Sequence, residues 1–195
     1  NGKRLNVTCS HITFVGKGKD HSTIRGGFKV INQQHVKFEE LTITNGAYGL
    51  WLRGSETNVD VLKCVVTKCG STGMYVRGGA TVTATQCEFM ENGGSGVYCS
   101  GANAKANLND CQMHHNANYG LLAWEHAVVD LHGTTTDVHS NKLDGIVAVE
   151  HGKIDIHLPS QHNTSHDNVE EDRVQWSDGS IANINADGTF THVGL

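Results

Sequence analysis

Gly49-Leu-Trp-Leu-Arg-Gly54, Gly73-Met-Tyr-Val-Arg-Gly78, Gly96-Val-Tyr-Cys-Ser-Gly101, Gly120-Leu-Leu-Ala-Trp-Glu125 and Gly145-Ile-Val-Ala-Val-Glu150 share one pattern, a glycine followed by a short apolar strand. Their leading glycines lie 24, 23, 24 and 25 residues apart. Four residues before each glycine stands Asn45, Cys69, Asn92, Asn116 or Asn141, and five residues before the last four of these come Cys64, Cys87, Cys111 and Thr136. Further upstream, Val59-Asp-Val61, Val82-Thr-Ala84, Ala106-Asn-Leu108, Val129-Asp-Leu131 and Ile154-Asp-Ile156 alternate with the period of a half-buried strand. Three registers held over about a hundred residues define an internal repeat.

A unit of about two dozen residues made of short β segments cannot bury its apolar side alone, so each coil must lie flat on the next, with strands ~4.8 Å apart. Equivalent residues then stack. Leu50, Met74, Val97, Leu121 and Ile146 form one inward column, and Leu52, Val76, Cys99, Ala123 and Ala148 a second. Cys64, Cys87 and Cys111 form a third, read as free buried thiols filling space. Asn at the shared turn is expected to take left-handed φ and to bond from rung to rung through its amide. The reading is an all-β, single-stranded parallel β-helix of about seven rungs.

Residues 1–195 are read as one domain. Residues 1–27 are the opening rung, 28–176 the repeats with Asn168–Trp176 as a degraded last rung, and 177–195 a C-terminal hairpin cap around Asp187-Gly188. The 195 residues include 23 Gly, one Pro and 13 His, with a net charge of −5. That balance argues against nucleic-acid binding and against docking on an anionic membrane. No apolar run reaches the ~20 residues of a membrane-spanning helix, so no insertion is expected. Asn1 rather than Met opens the chain, which leaves room for a leader or an upstream domain. Asn6-Val-Thr8 and Asn163-Thr-Ser165 are sequons only if the chain is secreted; the compartment stays open, with an extracellular, virion or cell-surface setting favoured over the cytoplasm.

The stretch Ile12 to Gly27, with its Gly16-Lys-Gly-Lys-Asp20 turn and Thr23-Ile-Arg-Gly26 strand, resembles the opening rung of the right-handed parallel β-helix proteins of the pectin-lyase-like superfamily. The resemblance spans roughly 5 to 176 and implies a right-handed coil. That superfamily includes polysaccharide lyases, hydrolases and epimerases, phage tailspikes and non-catalytic modules, so fold alone does not fix function.

Outward positions of the Gly-led strands give the first candidate site. One row reads Lys29, Trp51, Tyr75, Tyr98, Leu122, Val147; its neighbour reads Ile31, Arg53, Arg77, Ser100, Trp124, Val149. Trp51, Arg53, Tyr75, Arg77, Tyr98 and Trp124 would form an aromatic strip flanked by guanidinium groups able to grip a carboxylate with two parallel hydrogen bonds. Glycan or protein binding by this face of a non-catalytic module is the leading expectation. An acidic-polysaccharide lyase or uronate epimerase on the same face is an alternative, with Arg77 neutralising a carboxylate and Tyr98 or His126 moving protons. A structural part of a larger assembly is another.

Against catalysis, the rungs carry no long insertions to wall a cleft, and neither the Asn-Thr-Asp, Asp-Asp, Gly-His-Gly set of polygalacturonases nor the Asp-Pro-His of alginate epimerases occurs. Glu125-His126 and Glu150-His151 are read as pairs on a solvated turn. His132 and His157 share one register, while His114, His115, His139, His162 and His166 lie on nearby turns; such rows follow from repetition, and no dedicated metal site or cofactor is expected.

Overall fold

The computed structural model describes residues 3–157, 164–185 and 187–192; His162, Asn163 and Val193 of the sequence reading lie outside them. The chain coils into a triangular prism. Its first face stacks Arg4–Val7, the second half of Thr23–Ile31, the second half of Thr42–Arg53, Met74–Arg77, Val97–Ser100, Leu121–Trp124, Ile146–Val149 and Arg173–Trp176, each parallel to the next. The second face runs from Thr13–Val15 through Val36–Glu39, Asn58–Leu62, Thr81–Thr85, Lys105–Asn109, Val128–His132 and Lys153–His157 to Ser180–Ile184. The third is built from three-residue strands such as Val65–Thr67, Glu88–Met90, Gln112–His114 and Asp137–His139. No helix occurs among the described residues. The result is a parallel solenoid of about seven turns.

Alternation within each strand sends every second side chain inward. Leu50, Met74, Val97, Leu121 and Ile146 are fully buried in register, as are Leu52, Val76, Cys99, Ala123 and Ala148. One apolar cluster runs from Val7 to Ile181. Near its first coils it is filled by Phe14, Phe28 and Phe38, whose ring centroids lie 4.7–5.1 Å apart. Cys64, Cys87 and Cys111 are buried free thiols, and burial pushes Cys64 and Cys99 up to about 12. The leading glycine of each first-face strand has a steric cause. A Cβ on Gly73 would stand 2.7 Å from the Gly96 carbonyl, and one on Gly120 would stand 2.2 Å from Val138 Cγ1.

The asparagine turn keeps the expected rung-to-rung amide bonding but not the expected left-handed φ at Asn92, Asn116 and Asn141. Left-handed φ falls on the preceding residue, at Lys68, Glu91, His115, Ser140 and Asp167, with values of 53–55°. Asn92, Asn116 and Asn141 instead turn their side chains into the core, where all three are buried. Asn116, Asn141 and Asn168 each accept, through Oδ1, from the backbone N–H and the side-chain amide of the preceding Asn at 2.9–3.1 Å, and Asn92 Oδ1 begins the ladder by accepting from the Cys69 N–H at 3.1 Å. The bend needs two residues with two jobs: a polar exposed one takes the strained backbone, and the next supplies the buried amide that satisfies it. Asn45 departs from the ladder. It is exposed with φ of 61°, at the bend of the long strand Thr42–Arg53.

The ends also differ in detail. Arg4–Val7, within the segment 1–27 read as the opening rung, already belongs to the first face. At the other end, Ser180–Ile184 is still a parallel strand of the second face, so only Phe190–His192, which pairs antiparallel to it, covers the open sheet edge.

Candidate functional site

On the first face, strict register places Trp51 beside Tyr75 and Tyr75 beside Tyr98. The rings form an unbroken stack. Tyr75 lies 4.7 Å from Tyr98 with an interplanar angle of 16°, and Tyr98 lies 6.2 Å from Trp124, which reaches across from the neighbouring column. Tyr48 extends the stack, 5.7 Å from Tyr75 and 6.5 Å from Trp51. Tyr48 was not among the sequence candidates because outward positions were counted only after each glycine. A signal existed, since the residue just before the glycine is also Tyr at Tyr119.

Parallel, offset rings use their faces on one another. The strip therefore offers ring edges and phenol hydroxyls outward, and not the open ring faces on which a sugar would stack. Cations gather on it. The Arg4 guanidinium lies 4.6 Å and the Lys29 ammonium 4.9 Å from the Trp51 ring, and Arg77 lies 5.6 Å from that of Tyr75. Arg53 is exposed and pairs in register with Arg77 on the next rung. Among the described residues, neither arginine has a carboxylate partner. Two like charges on adjacent rungs of a chain with net charge −5 make a local positive patch.

Of the groups proposed for the acid–base chemistry, Tyr98 lies within reach of the Arg77 charge on the adjacent rung. Burial, followed by the neighbouring Tyr75, pushes the Tyr98 hydroxyl up to about 12, so it stays protonated at neutral pH. His126 lies past the end of the strand on an exposed turn with φ of 64°, where it stacks on His151 at 4.7 Å. No hydrogen bond or ring contact joins it to Tyr98 or Arg77 among the described residues. Glu125 and Glu150 share that turn, and Glu125 accepts from Ser100 Oγ at 3.1 Å.

Histidines stack elsewhere too, at His11 and His35 with centroids 4.8 Å apart and in two columns beside carboxylates. On the third face, His114, His139 and His166 stack at 4.9 and 5.4 Å. Glu88 holds His114 Nε2 at 2.8 Å, and burial lowers His139 while the Asp167 hydrogen bond raises His166. On the second face, His132 and His157 stack at 4.4 Å beside the adjacent column of Asp130 and Asp155. One donor atom from each of Asp130, His132 and His157 lies within 4.8 Å of the other two. Burial opposes ionisation of Asp130, but the hydrogen bonds and charge of Lys105 and His157 outweigh it and hold its carboxyl below the usual range. Burial, and then the neighbouring His157, lowers His132.

Residues 5–168 match the family described as the right handed beta helix region. The chain belongs to that family, a class consistent with the pectin-lyase-like superfamily. No curated protein and no solved structure matches it.

Proposed function

We propose that this β-helix is a non-catalytic binding module whose first face holds an extended acidic polysaccharide along the coil axis. One observation carries the reading: five rings form a continuous stack along the coil, and exposed Arg53 and half-buried Arg77 beside it have no acid of their own among the described residues. A guanidinium that lacks an internal partner is free to form a bidentate pair with a uronate carboxylate. Stacked rungs repeat that offer at a fixed step, which suits a polymer with a charge on every sugar. Because the ring faces are occupied, recognition would come from Arg–carboxylate pairs and from tyrosine hydroxyls bonding to sugar hydroxyls. The non-catalytic reading rests on the short repeats, which carry no long insertion to wall a cleft around the strip.

Isothermal titration with oligouronates of alginate and pectin tests the reading. Binding should weaken at least tenfold in the double variant Arg53→Ala, Arg77→Ala and fall with added salt, while a neutral glucan should not bind. Equal affinity for the neutral glucan, or no effect of the double variant, would overturn the site. Ultraviolet absorbance of an unsaturated uronate product would overturn the non-catalytic half.

A further inference from the structure

We propose that Asp130, His132 and His157 form a binding site for a borderline divalent transition cation, with Zn²⁺ as the fitting ion, clamped across two consecutive rungs of the second face. The proposal does not depend on the aromatic strip. Its geometry arises from the crossing of two regularities. Strand alternation sends Asp130 and His132 to the same side of Val128–His132, and rung register puts His157 directly over His132. The three donor atoms lie within 4.8 Å of one another, and His157 Nε2 is 3.2 Å from Asp130 Oδ1. A tetrahedral zinc with bonds of about 2.1 Å needs its ligand atoms roughly 3.4 Å apart. Small side-chain rotations of two half-exposed imidazoles cover the difference.

The surroundings favour a cation. Asp130 is only 8% exposed although it sits on the outer side of its strand. Lys105 Nζ holds its Oδ2 at 2.8 Å, which orients the carboxylate and leaves Oδ1 turned to His157, the arrangement of an outer-shell partner behind a ligand. Asp155, its neighbour on the next rung, is 7% exposed; Lys153 takes its Oδ2 at 2.6 Å, yet its buried Oδ1 has no hydrogen-bond partner. That oxygen adds an unneutralised acceptor on the neighbouring rung, although Asp155 is not one of the three converging ligands. Two imidazoles with one carboxylate suit Zn²⁺ or its first-row neighbours rather than Ca²⁺, which needs six or more oxygens. The remaining coordination positions face solvent and would be filled by water.

Calorimetric titration of the whole chain with Zn²⁺ at pH 7.5, with Ca²⁺ as the hard-cation control, tests the site. One equivalent of Zn²⁺ should bind and Ca²⁺ should not. At a hundredfold excess over Kd, the thermal midpoint should rise by roughly 5–10 °C, because the ion ties two coils together. His132→Gln and His157→Gln should each weaken binding by about a hundredfold or more, a ligand mattering at least as much as its supporting shell. The triple variant His114→Gln, His139→Gln, His166→Gln should stay within twofold of the parent. In the unaltered chain, Zn²⁺ should shift the ¹⁵N resonances of His132 and His157 first, a readout that needs no variant to fold. Failure to bind one equivalent at millimolar Zn²⁺, equal binding of Ca²⁺, or loss of binding in the triple variant rather than in His132→Gln would each overturn the proposal.

Discussion

Replacing Asn116 by Ala removes the middle of the buried amide ladder, and the structure says what is lost. Asn116 is fully buried. Its Oδ1 accepts from Asn92 N at 3.1 Å and Asn92 Nδ2 at 3.0 Å, while its Nδ2 donates to Phe89 O and to Asn141 Oδ1, both at 3.0 Å. Asn92 Nδ2 keeps a second acceptor in Val66 O, and Asn141 Oδ1 keeps the Asn116 backbone N–H. The group left stranded is the buried Asn92 N–H, at a cost of about 1–3 kcal/mol. Adding the space vacated by the amide, the total is about 2–4 kcal/mol. For a chain of this size that corresponds to a fall in thermal midpoint of about 5–15 °C. Asn168→Ala, at the half-exposed end of the same ladder, should lose less than half as much, since water can replace the amide there. Calorimetric or denaturant melting of both variants measures the difference. A loss at Asn116 no greater than at Asn168, or below about 1 kcal/mol, would refute the claim that buried amides hold the coils in register.

Three further outcomes follow from the same coordinates. The native chain should react with one equivalent of a bulky thiol reagent, at exposed Cys9, while the five buried thiols react only after unfolding. In an NMR titration, His139 should titrate below its ordinary pKa and His166 above its own, because burial opposes the charge on the first and Asp167 supports it on the second. His166 therefore adds stability that is fully present below about pH 6.5 and is lost as pH rises through its raised value, whereas His139 removes stability as pH falls below about 6.5; reversed titration orders would contradict both. Gly120→Ala should destabilise well beyond an ordinary surface change, since its Cβ would meet Val138 Cγ1 at 2.2 Å and Asn141 Nδ2 at 2.7 Å; an unchanged melting midpoint would contradict the packing of that turn.

The solenoid was legible because identical positions in successive coils must meet, so a period seen in the chain becomes a contact in space. That logic placed the inward columns, the thiol column and the row from Trp51 to Tyr98. It failed where side chains cross between columns or where the coil is irregular. Trp124, counted in the strip from sequence, reaches Tyr98 from the neighbouring column, but Tyr48 was missed because it enters from the bend between Asn45 and Gly49, where the long strand Thr42–Arg53 runs from the third face to the first. The turn was misread by one residue, because spacing cannot separate the residue that bends from the one that bonds. Thr83 and Asn107 interrupt the column that runs from Asp60 to Asp130 and Asp155. The partners of Asp130 are lateral, His132 two residues along and His157 one rung up, and period counting along a single column cannot pair them.

The pile of rings from Trp51 to Trp124 makes the molecule its own optical gauge. Light absorbed by Tyr48, Tyr75 or Tyr98 has an indole emitter at either terminus of the pile, so tyrosine fluorescence should be largely transferred while the coils remain in contact. With Trp176 replaced by phenylalanine, exchanging Trp51 or Trp124 in turn would let a spectrometer report separately which part of the rod lets go first.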